Sequence, residues 1–460
     1  MADESDEPRP RFTRPTPGRW AALAALLASI ALPLLLIDDP RHARATAIAG
    51  ACLVLWMSEI VPLFATTLLL LAATPLLLGP LDPAAFSLGR VMGWGANPVM
   101  ALFFGGFTLS LAASKCGLDR SVAALMVHCS RGSQRGLLAA VMIGTALMSM
   151  WMSNIAAGAM MIVTLRPLFP LGAATSGELA RFRQAVLLGV AFAANFGGMA
   201  TPIGSGPNLI AIGAVRGIFA IDFAHWIAFA LPLTMFMVAV SWVLLVRLHG
   251  VSGPMHAVII DAPPLGNRGR AVMVLLLFTI AAWLTEPLHH VPSGVIAIAL
   301  AGTLFAVRLL EPADLKRIEW DTLMLIAGGL SLGELLDKSG IAHTMAGSLH
   351  GSAMPDAWLL LGFIVACALI SAVASNTAAS AMLIQIGLGI SPTASFAVLV
   401  ALAASMGVPF VISTPPNAIA YNQGGLRPRD LMIPGFILMA VGCALLALTG
   451  RFALRTAGVP

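Results

Sequence analysis

The chain has 460 residues, of which 58% are hydrophobic and only 10% are charged, whereas an ordinary soluble domain carries about 25% charged residues. Residues 357–426 contain no Asp, Glu, Lys or Arg, and this run is far longer than the roughly 20 residues that cross a bilayer as a helix. The composition excludes a soluble globular protein and predicts an all-α polytopic membrane protein. The net charge of +5 does not indicate a nucleic-acid ligand, because the basic residues are scattered among short loops.

Hydropathy, interrupted at Pro, Gly and charged clusters, predicts about eleven membrane-spanning helices. The polar N-terminal tail contains four arginines, which favours a cytoplasmic N-terminus, and the membrane we expect is a bacterial inner membrane. Two short glycine-rich segments, 98–113 and 321–337, are predicted to be re-entrant hairpins. A polar linker covers 248–270. The predicted spans are 20–37, 44–58, 62–79, 137–165, 184–213, 225–247, 271–285, 291–309, 356–388, 394–420 and 431–449.

Four pairs of similar segments occur in the same order along the chain, which indicates an internal repeat. Two homologous halves are therefore predicted, 44–247 and 271–449. A tail and an extra first helix (1–43) precede them, and a C-terminal tail (450–460) follows. The pairs are 56–62 with 283–287, 103–118 with 325–341, Ser153-Asn154 with Ser375-Asn376, and 204–212 with 413–421.

The number of crossings between the repeats predicts their relative orientation. Five predicted spans separate Glu59 in the first half from its counterpart Glu286 in the second. An odd number places the two halves in opposite orientations across the membrane, whereas counting 98–113 as a span would make the repeat parallel. Inverted repeats are typical of secondary transporters, whose binding site lies near the midplane between the halves, where helices are broken.

Each half has one place where Ser and Asn interrupt an apolar span. The first is 149–158 and the second is 371–380. Ser and Asn are poor in helix interiors but good N-caps, so each Ser-Asn pair is predicted to end one half-helix and begin another. The alternative is that these residues only join helices by hydrogen bonds. Two matching pairs at equivalent positions favour a ligand site.

Pro and Gly interrupt a second pair of apolar segments, 199–213 and 410–421. Residues of these types at this density break a helix. A break frees backbone carbonyls, which suit hard cations, and exposes half-helix N-termini, which attract anions. None of the four motifs contains Arg, Lys, Asp or Glu. Because burying an anion without compensation is costly, co-bound cations such as Na⁺ are a natural source of counter-charge.

Together these motifs resemble the divalent anion/sodium symporter family, which carries C4-dicarboxylates, citrate or sulfate, usually with several Na⁺. The similarity covers 44–449 and implies an importer that works as a homodimer by an elevator mechanism, with at least two co-transported Na⁺. It implies one Na⁺ site formed by Ser149, Ser153, Asn154 and Gly204, and a second formed by Ser371, Ala374, Asn376 and Ser413. The anion would bind between them, at Asn154, Ser205, Ser375, Asn376, Thr377, Thr414 and Pro415.

Two departures from the family pattern lie in the first half. Ile155 follows the first Ser-Asn pair where the family has Thr, so one hydroxyl donor is missing. The first break reads Ser205-Gly206-Pro207, whereas the second reads Thr414-Pro415-Pro416. Because both changes lie in the proposed binding site, they affect the prediction of which anion is carried more than the prediction of how it is transported.

The sequence alone leaves alternatives to Na⁺-coupled import open. A cation-independent anion exchanger could use the same fold. An intramembrane enzyme is disfavoured because no HExxH motif or nucleophile with a plausible base is recognisable, and a channel is disfavoured because broken-helix sites suit occlusion. Glu59 and Glu286 precede Pro62 and Pro287 at span ends. They are candidates for a proton relay, although capping of broken-helix amides is favoured.

Overall fold

The computed structural model describes residues 17–128, 132–165, 177–254, 265–344 and 355–460. Within these ranges the regular secondary structure is entirely helical, which confirms the predicted all-α fold. The first part of the N-terminal tail, 1–16, and the middle of the linker, 255–264, lie outside the described residues.

An extra first helix precedes the helices of the first half, and several of these helices begin at a recognisable capping residue. Gly177, with φ of 77°, precedes the long central helix, and Asp39, Asp82, Asn97 and Asp222 each accept hydrogen bonds from amides in the first turn of the helix they precede. The elements are α1 (Pro17–Leu36), α2 (Pro40–Ser58), α3 (Leu63–Leu78), α4 (Pro83–Phe86), α5 (Leu88–Trp94), α6 (Pro98–Lys115), α7 (Leu118–His128), α8 (Gln134–Ser149), α9 (Asn154–Leu165), α10 (Glu178–Gly197), α11 (Gly206–Val215) and α12 (Phe223–Leu248).

The second half contains a similar series of helices. Short 3₁₀ turns at Pro202–Gly204, Pro312–Arg317 and Val411–Ser413 join some of the elements of the two halves. The helices are α13 (Asn267–Leu284), α14 (Glu286–His289), α15 (Ser293–Ala306), α16 (Trp320–Ser339), α17 (Asp356–Val373), α18 (Asn376–Ile390), α19 (Ala394–Ala404), α20 (Pro415–Asn422) and α21 (Pro428–Thr456).

Six helices in the described ranges are long and apolar enough to cross a membrane. They indicate an integral membrane protein. The six are α1, α6, α12, α13, α17 and α21.

The two glycine-rich segments that were predicted to be hairpins are single helices, so this prediction is wrong. Residues 98–113 lie within α6 and residues 321–337 lie within α16, and neither helix reverses direction. Their glycines serve close helix packing instead. A Cβ on Gly105 would lie 2.5 Å from Cβ of Ala297 in α15, so only glycine permits this approach.

Hairpins do occur, but at the Ser-Asn motifs. Helix α8 ends at Ser149, α9 begins at Asn154, and the two helices pack against each other. In the same way α17 and α18 pack together around residues 374–375. We call α8–α9 the first hairpin and α17–α18 the second hairpin. The predicted spans 137–165 and 356–388 therefore correspond to hairpins, while the predicted helix breaks at both Ser-Asn pairs are confirmed.

If the first hairpin and the short helices α4, α5 and α7 are not counted as crossings, this exchange of one span for one hairpin leaves five crossings between Glu59 and Glu286. They are α3, α6, α10–α11, α12 and α13. The prediction that the two halves have opposite orientations is therefore unchanged by the correction.

The centre of the molecule consists of two broken helices, as the Pro and Gly motifs predicted. Helix α10 ends at Gly197 and α11 begins at Gly206; we call residues 198–205 the first break. Helix α19 ends at Ala404 and α20 begins at Pro415, and residues 405–414 are the second break. Every residue of α19 is buried, as expected of a helix that is apolar on all sides.

Each hairpin packs against its own broken helix and also against that of the other half. Helix α8 contacts α10, and α17 contacts α19. Across the halves, α9 contacts α20 while α18 contacts α11, and α10 contacts α20 while α11 contacts α19. These matched contacts bring the two Ser-Asn tips and the two breaks together at one place.

Candidate anion and cation site

A cavity of about 820 Å³ lies where the hairpin tips meet the breaks. All seven residues predicted to bind the anion line it, namely Asn154, Ser205, Ser375, Asn376, Thr377, Thr414 and Pro415. Of the residues predicted to bind Na⁺, Ser153, Asn154, Gly204, Ala374, Asn376 and Ser413 also line it. Ser149 and Ser371 are fully buried behind the wall.

Four helices begin at the wall of this cavity. Their N-cap residues are Ser153 for α9, Ser205 for α11, Ser375 for α18 and Thr414 for α20, and all four line the cavity. A helix N-terminus carries a partial positive charge and amides without an intrahelical partner. Four such ends directed at one space form an environment suited to an anion.

The four N-cap residues differ in whether their hydroxyl oxygen accepts a hydrogen bond from the helix that follows. Ser153 Oγ accepts from the amide of Ala156 at 3.3 Å, and Thr414 Oγ1 accepts from the amide of Asn417 at 3.4 Å. The hydroxyls of Ser205 and Ser375 make no capping hydrogen bond with their own helices. These two hydroxyls are consequently the ones most available to a ligand.

Oxygen atoms converge at the first hairpin tip. Ser149 Oγ lies 2.7 Å from the amide group of Asn154 and 2.6 Å from the carbonyl oxygen of Ala194. With its nitrogen turned toward them, the same amide lies 3.2 Å from the carbonyl oxygens of Ala194 and Gly204. Carbonyl, hydroxyl and amide oxygens are the ligands that hard cations prefer. We call these four groups the first oxygen cluster.

The second hairpin tip repeats this geometry. Ser371 Oγ lies 2.6 Å from Asn376 Oδ1 and 2.5 Å from the carbonyl oxygen of Ala404. Ser413 Oγ donates to the carbonyl oxygen of Ala372 at 2.6 Å. We call the groups of Ser371, Asn376 and Ala404 the second oxygen cluster. Both clusters thus contain a Ser hydroxyl, an Asn amide and an Ala carbonyl in the same relation to a broken helix, and the first also contains the Gly204 carbonyl.

Two asparagines that the sequence analysis did not single out hold the breaks in shape. Asn208 Nδ2 donates to the carbonyl oxygens of Gly198 and Thr201, at 2.9 and 2.8 Å. Asn417 Nδ2 donates to those of Val408 and Phe410, at 3.0 and 2.9 Å. Their equivalent positions in the repeats 204–212 and 413–421 were the signal that could have identified them.

A third asparagine, Asn195, had no repeated counterpart in the sequence. It is 1% exposed near the end of α10, and it lines the cavity. Its Nδ2 donates to Thr414 Oγ1 at 3.0 Å and to Asn417 Oδ1 at 3.1 Å, both in the other half.

The formal charges at the cavity are all negative among the described residues. Glu59, Glu319 and Asp321 line it, and no Lys, Arg or His of the described ranges does so. Glu286, the counterpart of Glu59, accepts a hydrogen bond from the amide of Ser293 at 3.2 Å. Glu286 therefore accepts from the first amide of α15, which is a continuous helix, so the favoured capping of broken-helix amides stays a prediction. Glu59 ends α2 with φ of 49°.

Comparison with known proteins identifies the type of protein. The citrate transporter family model (CitMHS) matches residues 53–404, which is more than half of the chain. An uncharacterized transporter of Haemophilus influenzae is 27% identical over 90% of this chain and 92% of its own length. The sodium-dependent dicarboxylate transporter SdcS of Staphylococcus saprophyticus is 25% identical over 86% of this chain and 83% of its own length.

Two further proteins are similar to this chain. The inorganic phosphate transporter PHO87 of Saccharomyces cerevisiae is 26% identical over 92% of this chain, which corresponds to 47% of PHO87. The YdaH transporter of Alcanivorax borkumensis, described as having an unusual topology, matches with a TM-score of 0.60 and 16% identity over 85% of this chain and 98% of its own. The last match concerns the fold alone. The chain belongs to the citrate transporter family, in agreement with the resemblance to divalent anion/sodium symporters.

Proposed function

We propose that this protein is a secondary active transporter that imports a small divalent anion of the dicarboxylate, citrate or sulfate type together with Na⁺. The observation that carries the proposal is the cavity itself. Four helix N-termini and both Ser-Asn tips surround it, and no basic side chain of the described residues lines it.

The balance of electrostatic terms favours co-bound cations. A helix N-terminus stabilises an anion by up to about 2 kcal/mol in a partly buried site. Moving an ion out of water costs several kcal/mol per charge even after relaxation. The carboxylates of Glu59, Glu319 and Asp321 add repulsion to this cost. The N-termini alone leave little surplus for a doubly charged anion, whereas two monovalent cations would neutralise it.

The two oxygen clusters are the proposed Na⁺ sites. Asn154 and Asn376 are proposed to bind both Na⁺ and the anion, because each amide belongs to an oxygen cluster and each residue lines the anion cavity. An amide can turn its nitrogen toward neighbouring carbonyls or its oxygen toward a cation. We propose that Na⁺ holds the oxygen inward, with the nitrogen left to donate to the anion. Ser153, Gly204, Ala374 and Ser413 complete the two sites.

The anion would then lie between the two tips. Ser205 and Ser375 supply hydroxyls that no capping bond uses, and Thr377 and Thr414 supply two more. Pro415 closes this side of the cavity. Ile155 occupies the position that corresponds to Thr377 in the first half, so the donors are unequally distributed about the anion.

We further propose that the hairpins and broken helices move as one body in an elevator mechanism within a homodimer. The matched packing of α9 on α20 and of α18 on α11 supports a single rigid transport unit. A separate set of contacts, α3 with α16 and α6 with α15, joins helices of the two halves outside this unit. The two halves 44–247 and 271–449 remain a prediction of the sequence.

Transport by purified protein tests the proposal. Proteoliposomes are supplied with radiolabelled succinate, citrate, sulfate or phosphate, with and without an inward Na⁺ gradient. The expected result is uptake of at least one anion that falls to background when choline replaces Na⁺. Equal uptake in choline would contradict Na⁺ coupling, and counterflow without Na⁺ would instead favour an exchanger.

A further inference from the structure

Asn195 stands between the first oxygen cluster and the second break. The carbonyl oxygen of the preceding residue, Ala194, belongs to the first oxygen cluster, at 2.6 Å from Ser149 Oγ. The side chain of Asn195 points the other way and donates to Thr414 Oγ1 at 3.0 Å. Two successive residues of α10, Ala194 and Asn195, therefore connect a candidate cation site of one half with the cavity-lining hydroxyl of the other.

The hydrogen bonds at Thr414 fix the direction of its own proton. Thr414 Oγ1 accepts from Asn195 Nδ2 at 3.0 Å and from the amide of Asn417 at 3.4 Å. A hydroxyl oxygen has two lone pairs and one hydrogen. Since both lone pairs are engaged, the hydrogen of Thr414 is left for another acceptor, and the residue lines the cavity. Thr414 is thereby prepared to donate to an anion.

The equivalent position of the second half lacks this arrangement. Ser371 contacts the carbonyl oxygen of Ala404 as Ser149 contacts that of Ala194, so Ser405 corresponds to Asn195. Ser405 is 1% exposed, and its Oγ has no hydrogen-bond partner among the described residues. Of these two equivalent residues, only Asn195 forms a hydrogen bond to the other half.

We propose that Asn195 is a positioning residue that orients the Thr414 hydroxyl toward the anion and links this orientation to the cation at the first oxygen cluster. The inference rests on the proposed function. A cation that draws the carbonyl of Ala194 toward it fixes the end of α10, and with it the amide of Asn195. The Thr414 hydroxyl then becomes a fixed donor, so occupancy of the first cluster raises the affinity for the anion.

The test compares Asn195→Ala with Ser405→Ala, a matched control that also truncates a buried polar side chain beside a cluster carbonyl. In proteoliposomes, Asn195→Ala is expected to raise the KM for the transported anion about tenfold or more, in keeping with loss of a hydrogen bond to a charged group. Ser405→Ala should leave this KM within about twofold, because Ser405 Oγ has no hydrogen-bond partner among the described residues to lose. Asn195→Asp, which preserves the shape of the side chain but loses both N–H donors, should also raise the KM.

A double-mutant cycle separates positioning from a merely structural role. If Asn195 acts through Thr414, Asn195→Ala adds little to the KM of Thr414→Val. The factor by which Na⁺ increases anion affinity should also be smaller in Asn195→Ala than in the parent protein. An unchanged KM in folded Asn195→Ala, or additive effects in the cycle, would overturn the inference. Absence of uptake by the parent protein for all tested anions would instead contradict the proposed function.

Discussion

Thr377, in the first turn of α18, packs directly against Gly206, the first residue of α11. A Cβ placed on Gly206 would lie 2.5 Å from Thr377 Oγ1, closer than any real Cβ contact. Both residues line the cavity, and they belong to different halves. The two halves therefore meet inside the candidate anion site, with no space left for a side chain at residue 206.

The first prediction follows from this contact. Gly206→Ala should displace the Thr377 hydroxyl and raise the KM for the anion, because an anion oxygen left without this donor loses about 1–3 kcal/mol of binding free energy. That range corresponds to roughly a 5- to 150-fold increase in KM. Gly302→Ala is the matched control, since no atom lies within 4 Å of its added Cβ. A KM equal to that of the control would show that the contact does not shape the anion site.

The second prediction concerns the two tip asparagines. Asn154→Ala and Asn376→Ala each remove an amide that stands at an oxygen cluster and at the cavity. Each variant should lose Na⁺-dependent uptake while it elutes as a folded protein in detergent. Retention of normal uptake by either variant would exclude that asparagine from the site.

The third prediction is a gain of affinity. Ile155 is 45% exposed and lines the cavity next to Asn154. Ile155→Thr supplies a hydroxyl donor at the position that corresponds to Thr377. A typical hydrogen bond adds about 0.5–1.5 kcal/mol, so the KM for a dicarboxylate should fall by roughly 2- to 12-fold. Ile155→Val, which changes the shape without adding a donor, is the control. A KM that falls equally in both variants would indicate a steric effect.

The fourth prediction concerns stability and pH at the loop before α16. Lys115 Nζ donates to Asp314 Oδ2 at 2.6 Å, and the side chain of Asp314 is 7% exposed. This hydrogen bond holds the pKa of Asp314 below its usual value of 3.8. Because the folded pKa is depressed, the stabilisation is present above pH 3.8 and is lost as pH falls through the folded pKa.

Melting of the purified protein in detergent measures this effect. Asp314→Asn should lower the melting temperature at pH 7, and the difference from the parent protein should shrink as pH falls below about 4. Between pH 5 and 8 the difference should stay constant. A difference that instead grows on acidification would contradict the assignment.

The sequence was informative about where the helices break. Ser and Asn at residues 153–154 and 375–376, together with Pro and Gly at residues 202–207, disfavour helix interiors by local chemistry alone. These breaks could be predicted without knowledge of distant contacts, whereas the set of residues that would share one cavity was implied by the family resemblance. The repeated order of the motifs added the expectation that both halves contribute equally.

What the sequence could not reveal is how the chain continues after a break. At Ser153-Asn154 it reverses into a hairpin, whereas at Gly204 it continues as a broken helix, and packing against the other half decides between these outcomes. The glycines of 98–113 and 321–337 were misleading for the same reason. Gly105 and Gly328 allow close packing of Ala297 and Thr67 from neighbouring helices. The need for glycine therefore arises from the packing partner and cannot be read from the segment itself. Asn195 was missed because its partners lie in the other half.

The central claim is that co-bound Na⁺ supplies the counter-charge for an anion in a cavity that no Lys, Arg or His of the described residues lines. Equilibrium binding of a radiolabelled dicarboxylate, citrate or sulfate to the purified protein, in NaCl and in choline chloride of equal ionic strength, measures this directly. The account predicts saturable binding in NaCl whose affinity falls at least tenfold in choline. Binding of equal affinity in both salts would contradict it.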